Sequence, residues 1–148
     1  MDKIKILEQM KGNLKELEKI GFDKNQITEI VKGLERKIDA SKYADLKFNE
    51  DQMIQIRLGL EANIDIDKYA NSKFDKDQMR EIRYGLEHNV DVSKYADPKF
   101  NWQQMLEIRR GLENSINVDK YADPDINWYQ MYIIREKATK KKDPEMEI

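Results

Sequence analysis

The stretch Tyr95–Glu113, YADPKFNWQQMLEIRRGLE, decides the fold, because it recurs along the chain at intervals of 26 residues. No insertion breaks this register between Phe22 and Arg135. The recurring positions are Tyr43, Tyr69, Tyr95 and Tyr121, then Gln26, Gln52, Gln78, Gln104 and Gln130, then Ile30, Ile56, Ile82, Ile108 and Ile134, and finally Gly33, Gly59, Gly85 and Gly111. A fixed period of this length is typical of helical repeat proteins, in which each unit buries its apolar face against its neighbours.

Each copy of the repeat predicts a long helix followed by a short helical turn. In the second copy, Asn49 and Gln52 have the spacing of a capping box, and Phe48 and Met53 have that of a hydrophobic staple. Apolar residues then continue at helical spacing from Met53. The same capping box is predicted for Asp75 with Gln78, Asn101 with Gln104, and Asn127 with Gln130.

Two further features predict how each long helix ends and how the short turn begins. Asn63 and Asn89 are expected in the left-handed backbone conformation that often follows a helix. Asp67 is expected to cap the turn that contains Tyr69, after a brief extended stretch.

The predicted fold class is therefore all-α, an α-solenoid of 26-residue repeats. An N-terminal capping helix is predicted over residues 2–19, and the repeats start near residues 22, 48, 74, 100 and 126. Together these elements form a single domain over residues 1–138. Residues 139–148 are predicted to be a disordered polar tail.

The composition limits the classes of partner. Charged residues make up 38% of the chain and the net charge is −2, which gives no strong field for nucleic acid or for a membrane surface. Cysteine is absent, which excludes disulfides and thiolate metal sites. No apolar run approaches the roughly 18–20 residues that span a bilayer. We therefore expect a cytoplasmic protein that does not enter a membrane.

The pattern Y-A-D-P-x-F-x-x-x-Q-M-x-E-I-R-x-G-L-E resembles a short repeat of uncharacterised proteins from bacterial mobile elements and phages. The resemblance covers about residues 22–136 and is strongest in the fourth copy. The first copy departs from the pattern, with Val31 in the arginine slot and Leu46 in the proline slot. The resemblance implies a helical repeat and a mobile-element context, and it carries over no site residue.

The positions that recur are expected to serve the scaffold. The arginines Arg57, Arg83, Arg109 and Arg135 recur, and the first three are predicted to pair with glutamates four residues further on. Aspartate or carbonyl groups of the adjacent turn are expected to accept the remaining arginine hydrogen bonds. The tyrosines are expected to anchor the turns with their hydroxyls at the edge. The glycines are expected to mark a close approach of two helices.

Nothing in the sequence predicts catalysis, a cofactor or a metal site. No nucleophile is paired with a base, and His88, the single histidine, is expected to be solvated near a helix end. No acidic loop of the calcium-binding type is present.

The variable positions are the candidates for binding a partner. Two slots, one turn apart on the predicted outer helix face, carry isoleucine, leucine, tyrosine and arginine, which are types found at interfaces. A further slot carries tryptophan in the last two copies. The predicted partner-binding residues are Ile54, Leu58, Arg80, Tyr84, Trp102, Leu106, Arg110, Trp128, Tyr129 and Tyr132. Covering the end of the solenoid, or forming a homodimer through the C-terminal aromatic end, explains the aromatic residues equally well.

The leading functional prediction is a non-catalytic protein–protein interaction module. The mobile-element resemblance suggests a specific version, a phage inhibitor of a host defence protein similar to an anti-CRISPR. The alternative is a helical repeat protein that binds nucleic acid through its row of arginines, with an affinity that falls steeply with salt.

Overall fold

The computed structural model of the protein describes residues 14–142. This part of the chain is all-helical and contains no β-strand, as the sequence predicts. The α-helices are α1 (Leu14–Ile20), α2 (Lys24–Glu35), α3 (Glu50–Glu61), α4 (Lys76–Glu87), α5 (Trp102–Glu113) and α6 (Trp128–Lys142). Short 3-10 helices separate α2 to α6 and span Ala40–Lys42, Ile66–Lys68, Val92–Lys94 and Val118–Lys120. From α2 onward, each long helix begins 26 residues after the previous one.

The chain divides into two compact units, with the boundary between Met79 and Arg80, inside α4. In unit 1, α1 packs on α2 and α2 packs on α3. In unit 2, α5 packs on α6. Consecutive helices therefore pack against each other within each unit. The side chains at the methionine position and at the recurring tyrosine and isoleucine positions are fully buried: Met53, Met79, Met105 and Met131, with Tyr43, Tyr69, Tyr95 and Tyr121, and with Ile30, Ile56, Ile82 and Ile108.

Two predictions at the ends of the chain fall partly outside the described residues. The capping helix predicted over 2–19 is described only from Leu14, and its Leu17 is fully buried. The polar tail predicted from residue 139 is described only as far as Lys142. Its residues 139–142 belong to α6.

Capping boxes fix the start of the long helices, as the sequence predicts. Asn49 Oδ1 accepts a hydrogen bond from the Gln52 amide at 2.8 Å, and Gln52 Oε1 accepts one from the Asn49 amide at 2.9 Å. The box recurs at Asp23–Gln26, Asp75–Gln78, Asn101–Gln104 and Asn127–Gln130. Each box satisfies two backbone donors that the first helical turn would otherwise leave unpaired.

The long helices end in a left-handed residue. Asn63 and Asn89 adopt φ values of 57° and 58°, which confirms the prediction for both. Lys37 and Ser115 adopt the same conformation at the equivalent positions. The amide of Ile64 then bonds the Gly59 carbonyl at 3.1 Å, which satisfies a helix-end acceptor.

The cap of the short turn lies two residues earlier than predicted. Asp65, rather than Asp67, is the N-cap of Ile66–Lys68, and its side chain accepts a hydrogen bond from the Asp67 amide. The 3-10 helix begins at Ile66, so that residue is not part of an extended stretch. Asp39, Asp91 and Asn117 act in the same way.

The recurring tyrosines anchor the short turns, as predicted, but the predictions for their hydroxyls and for the recurring glycines were wrong. The Tyr43 hydroxyl is buried and donates to the Glu29 carbonyl of α2 at 2.6 Å. A Cβ added at Gly33 would overlap that hydroxyl oxygen. The glycine therefore makes room for the tyrosine of its own repeat. It does not mark a contact between two helices, and the hydroxyl does not lie at an edge.

Candidate functional site

The structure gathers most of the predicted binding residues in unit 2. We call six of them the aromatic–arginine surface: Trp102, Leu106, Arg110, Trp128, Tyr129 and Tyr132. The first three lie on α5 and the last three on α6. Because α5 and α6 pack against each other, both sets belong to one compact part of the molecule.

Helix α5 presents three of these side chains on one face. Trp102 is its first residue, and Leu106 and Arg110 follow at intervals of four. Residues four apart on an α-helix lie one above the other. The capping box of Asn101 and Gln104 fixes the first turn, and with it the place of Trp102.

Helix α6 contributes the exposed aromatic residues. Trp128, Tyr129 and Tyr132 are 43%, 57% and 38% exposed. The Trp128 and Tyr129 rings meet edge to face at 5.8 Å, and the Tyr129 and Tyr132 rings stack at 6.2 Å. Large aromatic groups usually contribute most of the energy in protein interfaces, so three of them exposed together favour a binding role.

A pocket of about 270 Å³ opens between α5 and the start of α6. This volume falls just below the roughly 300–1,000 Å³ of small-molecule sites and suits a side chain of a partner protein. Its lining residues are Trp102, Gln103, Leu106, Glu107, Arg110 and Trp128.

Glu107 lies at the base of this surface and holds two cations. Its side chain is 3% exposed, Oε1 lies 3.3 Å from Arg110 Nη1, and Oε2 lies 2.8 Å from Arg135 Nε. Arg110 is about half exposed, and its other guanidinium N–H groups have no acceptor within residues 14–142. Glu107 therefore positions Arg110 and leaves part of its hydrogen-bonding capacity directed to solvent.

Arg80 and Tyr84 of α4 also belong to unit 2. The Arg80 guanidinium lies 5.6 Å from the centre of the Trp102 ring, within the range of a cation–π contact. The guanidinium groups of Arg83 and Arg109 lie 4.8 Å and 5.4 Å from the centre of the Tyr84 ring. Both predicted residues thus contact other aromatic or arginine side chains of this unit.

The remaining two predicted residues, Ile54 and Leu58, lie on α3 in unit 1. They occupy the variable slots that hold Leu106 and Arg110 in α5, and both are half-buried. They provide matched positions at which the same kind of substitution can be made outside the aromatic–arginine surface.

The recurring arginines are buried or nearly buried ion-pair partners. Only 8–12% of each side chain is exposed. The predicted pairs four residues apart are confirmed, at 3.0 Å for Arg57–Glu61 and 2.8 Å for Arg83–Glu87, and Arg109 pairs with Glu113 in the same way.

The second partner of Arg57, Arg109 and Arg135 was predicted wrongly. Arg57 Nε donates to Glu29 of the preceding repeat at 2.9 Å, and not to an aspartate or a carbonyl of the turn. Arg109 bonds Glu81, and Arg135 bonds Glu107, across the same 28-residue separation. In the sequence, the glutamates two positions before the arginine slot are the feature that could have indicated this pairing between repeats.

The charged partners set the protonation state of these groups. Burial alone lowers the pKa of Arg57, but its bonds to Glu29 and Glu61 outweigh burial and leave that pKa raised. Burial also raises the pKa of the Tyr43, Tyr95 and Tyr121 hydroxyls well above the ordinary range. Both groups of side chains therefore keep their usual proton at neutral pH.

Comparison of the chain with protein-family models, curated proteins and solved structures finds no match. In residues 14–142, no group of three or more histidines and acidic side chains is placed to hold a metal ion. No helix in this part of the chain has both the length and the apolar character needed to cross a bilayer.

Proposed function

We propose that this chain is a non-catalytic protein-binding module and that unit 2 binds the partner through the aromatic–arginine surface. The observation that carries this proposal is the clustering of exposed Trp128, Tyr129 and Tyr132 beside a pocket lined by Trp102 and Arg110. Aromatic residues and arginine are the types enriched at energetically important interface positions.

The geometry suggests the chemistry of the partner's contact. The pocket takes one apolar or aromatic side chain, which loses its water between Trp102, Leu106 and Trp128. A carboxylate or carbonyl next to that side chain accepts hydrogen bonds from Arg110. The mobile-element resemblance suggests that the partner is a host defence protein, in the manner of an anti-CRISPR.

We further propose that the repeats stack as an α-solenoid. Support comes from two contacts between successive repeats that recur in both units. The first is the arginine–glutamate pair. The second is a hydrogen bond from a glutamine side-chain amide to a backbone carbonyl of the next repeat. Gln52 Nε2 donates to the Phe74 carbonyl at 2.7 Å, and Gln104 Nε2 donates to the Ile126 carbonyl at 2.7 Å. Small-angle scattering tests this arrangement, since a compact chain of this length has a radius of gyration of about 15 Å and a solenoid has a larger one.

Binding of nucleic acid receives no support from the arginine row. At most 12% of each arginine side chain is exposed and each is held by at least one glutamate, so contact with a phosphate would require breaking an ion pair. Retardation of DNA or RNA by the protein at low salt, lost at moderate salt, would reverse this judgement.

Affinity capture from the native host tests the proposed function. The wild-type chain is compared with the variant Trp128→Ala/Tyr132→Ala and with the control Ile54→Ala/Leu58→Ala, which changes the two variable slots of a repeat in unit 1. We expect one partner to be recovered by the wild type and the control and lost by the aromatic variant. Equal recovery by all three would remove the aromatic–arginine surface from consideration. Gel filtration of the same proteins shows whether the surface instead forms a homodimer.

A further inference from the structure

The last repeat exposes a face that the preceding repeat buries. Phe100, Gln104 and Ile108 are each at most 5% exposed. Their counterparts one period later, Ile126, Gln130 and Ile134, are half-buried or exposed and line an apolar depression together with Ile133. We call Ile126, Gln130, Ile133 and Ile134 the end face.

The packing of α5 shows what such a face accepts. There the next repeat covers it, and Gln104 Nε2 donates to the carbonyls of Pro124 and Ile126 at 2.9 and 2.7 Å. At the end face, Gln130 Nε2 has no acceptor within residues 14–142, although Gln130 Oε1 still completes its capping box. The end face is therefore a helix-docking surface with no helix on it in the described structure.

The end face is not suited to a further copy of the repeat. In α5 the corresponding position is Glu107, which receives Arg135 of the following helix. In α6 that position is Ile133, so an arginine arriving from another repeat would lack the carboxylate that Glu107 provides to Arg135 and would meet an apolar side chain. An apolar side chain fits there instead.

The first repeat shows how this chain covers a repeat that has no arginine in the arginine slot. Its arginine slot holds Val31, and α1, which is not a copy of the repeat, packs on α2. Leu17 of α1 is fully buried in that packing. By analogy with α1, the structure that fits the end face is an amphipathic helix with an apolar stripe.

The basic residues around the end face indicate the charge of the helix that would bind there. A second depression, which shares Ile134 with the end face, is lined by Lys120, Lys137 and Lys141. Lys141 lies in the last turn of α6, where cations are favoured by the helix dipole alone, but Lys120 lies on a separate 3-10 helix. Helix α6 carries five basic residues and one acidic residue, so two copies facing each other through α6 would repel.

From these observations we propose that the end face docks an acidic amphipathic helix of a partner protein. Leucine-like side chains of that helix cover Ile126, Ile133 and Ile134, and its glutamates or aspartates meet Lys120 and Lys137. This is a second surface, since its residues differ from those of the aromatic–arginine surface and the proposal holds whether or not that surface binds anything.

Two synthetic helical peptides test the proposal by calorimetric titration of the full chain. Both carry leucine at positions i, i+3, i+4 and i+7, and the remaining positions are glutamate in one peptide and lysine in the other. The glutamate peptide is expected to bind the wild type and the lysine peptide is not. Two variants should each weaken binding at least about tenfold: Ile133→Glu and Lys120→Glu/Lys137→Glu. The first of them places a glutamate at the position that Glu107 occupies in α5.

The variant Trp128→Ala serves as a control, because it alters only the aromatic–arginine surface and should leave peptide binding unchanged. Equal urea unfolding of Ile133→Glu and the wild type shows that the variant is folded. The proposal is overturned if the glutamate peptide fails to bind, if both peptides bind equally, if Ile133→Glu has no effect, or if the wild type forms a dimer that Ile133→Glu dissociates.

Discussion

In unit 1 the two variable helix slots hold Thr28 and Lys32 in one repeat and Ile54 and Leu58 in the next. In unit 2 they hold arginine, tyrosine and leucine, with a glutamate in the second slot of the last repeat. Beneath these slots the two units bury the same tyrosine, methionine and isoleucine positions. The exposed tryptophan and tyrosines all belong to unit 2. We interpret the positions that recur in both units as those that the fold requires, and we propose that the variable positions contact a partner. Substitutions in matched positions test that separation.

The largest loss of stability is expected from removing a buried glutamate. Glu107→Ala leaves Arg135 without its main partner, and Glu29→Ala does the same to Arg57. Each variant should lower the free energy of unfolding by about 3–5 kcal/mol, as measured by urea denaturation. Similar losses in both units are expected if the ion pair is part of a common scaffold. A loss confined to one unit would contradict that view.

Filling the space beside a buried tyrosine hydroxyl should lower the free energy of unfolding slightly less than removing a buried glutamate does. In Gly33→Ala the new Cβ displaces the Tyr43 hydroxyl from the Glu29 carbonyl, which we expect to cost about 2–4 kcal/mol. Adding Tyr43→Phe removes the clash and should restore most of that loss. Calorimetric unfolding of the single and double variants gives the coupling between the two sites.

The same pair of substitutions sharpens the comparison between units. A Cβ at Gly85 of unit 2 meets Val92 Cγ1 at 2.8 Å as well as the Tyr95 hydroxyl, whereas the next contact at Gly33 is at 3.1 Å. Tyr95→Phe should therefore rescue Gly85→Ala less completely than Tyr43→Phe rescues Gly33→Ala. Equal rescue in both units would show that the valine contact relaxes without cost.

Alkaline pH should weaken both units through the same buried tyrosines. Unfolded tyrosine ionises near its ordinary pKa of about 10, whereas Tyr43, Tyr95 and Tyr121 hold their protons to higher pH when folded. Their stabilising contribution is complete below about pH 10 and declines above it, by up to about 1.4 kcal/mol per pH unit for each tyrosine. Urea unfolding between about pH 9 and about pH 11 measures the decline. Tyr43→Phe and Tyr95→Phe should each reduce the slope, and a slope unchanged by both would refute this origin.

A small gain in stability is expected from replacing a residue that is unfavourable in the left-handed position at the end of a helix. Lys37 adopts φ 58° in the position that Asn63 holds in the next repeat. Because asparagine and glycine tolerate the left-handed region better than lysine, Lys37→Gly should stabilise the chain by about 1 kcal/mol. The same change at Asn63 should have a smaller effect. Thermal unfolding of both variants provides the test, and an equal gain at the two positions would contradict the argument.

The local structure was predictable wherever it depends on residues close in sequence. The capping boxes, the helix starts and the left-handed Asn63 follow from side chains that contact the backbone within a few positions. The Tyr43–Gly33 contact and the Arg57–Glu29 pair were missed because they join segments that are 10 and 28 residues apart. Periodicity shows that such residues are needed, but it does not show which of the other recurring residues they contact.

The candidate site was predictable in content but not in arrangement. The variable slots identified Trp102, Leu106, Arg110 and Trp128 individually, yet nothing in the sequence showed that a pocket opens among them. The role of Glu107 was also missed, because one of the two arginines that it contacts, Arg135, lies 28 residues away on another helix. Burial and the two cations beside it became visible only in three dimensions.

The free energy of unfolding of a surface-exchanged protein tests the central claim most directly. In the variant Trp128→Lys/Tyr132→Thr, two aromatic residues are replaced by the types that the first repeat carries at Lys24 and Thr28. If variable slots serve binding and not folding, urea denaturation should show a change within about 1 kcal/mol of the wild type. A loss as large as that of Glu107→Ala would show that the aromatic residues belong to the scaffold and would contradict the account.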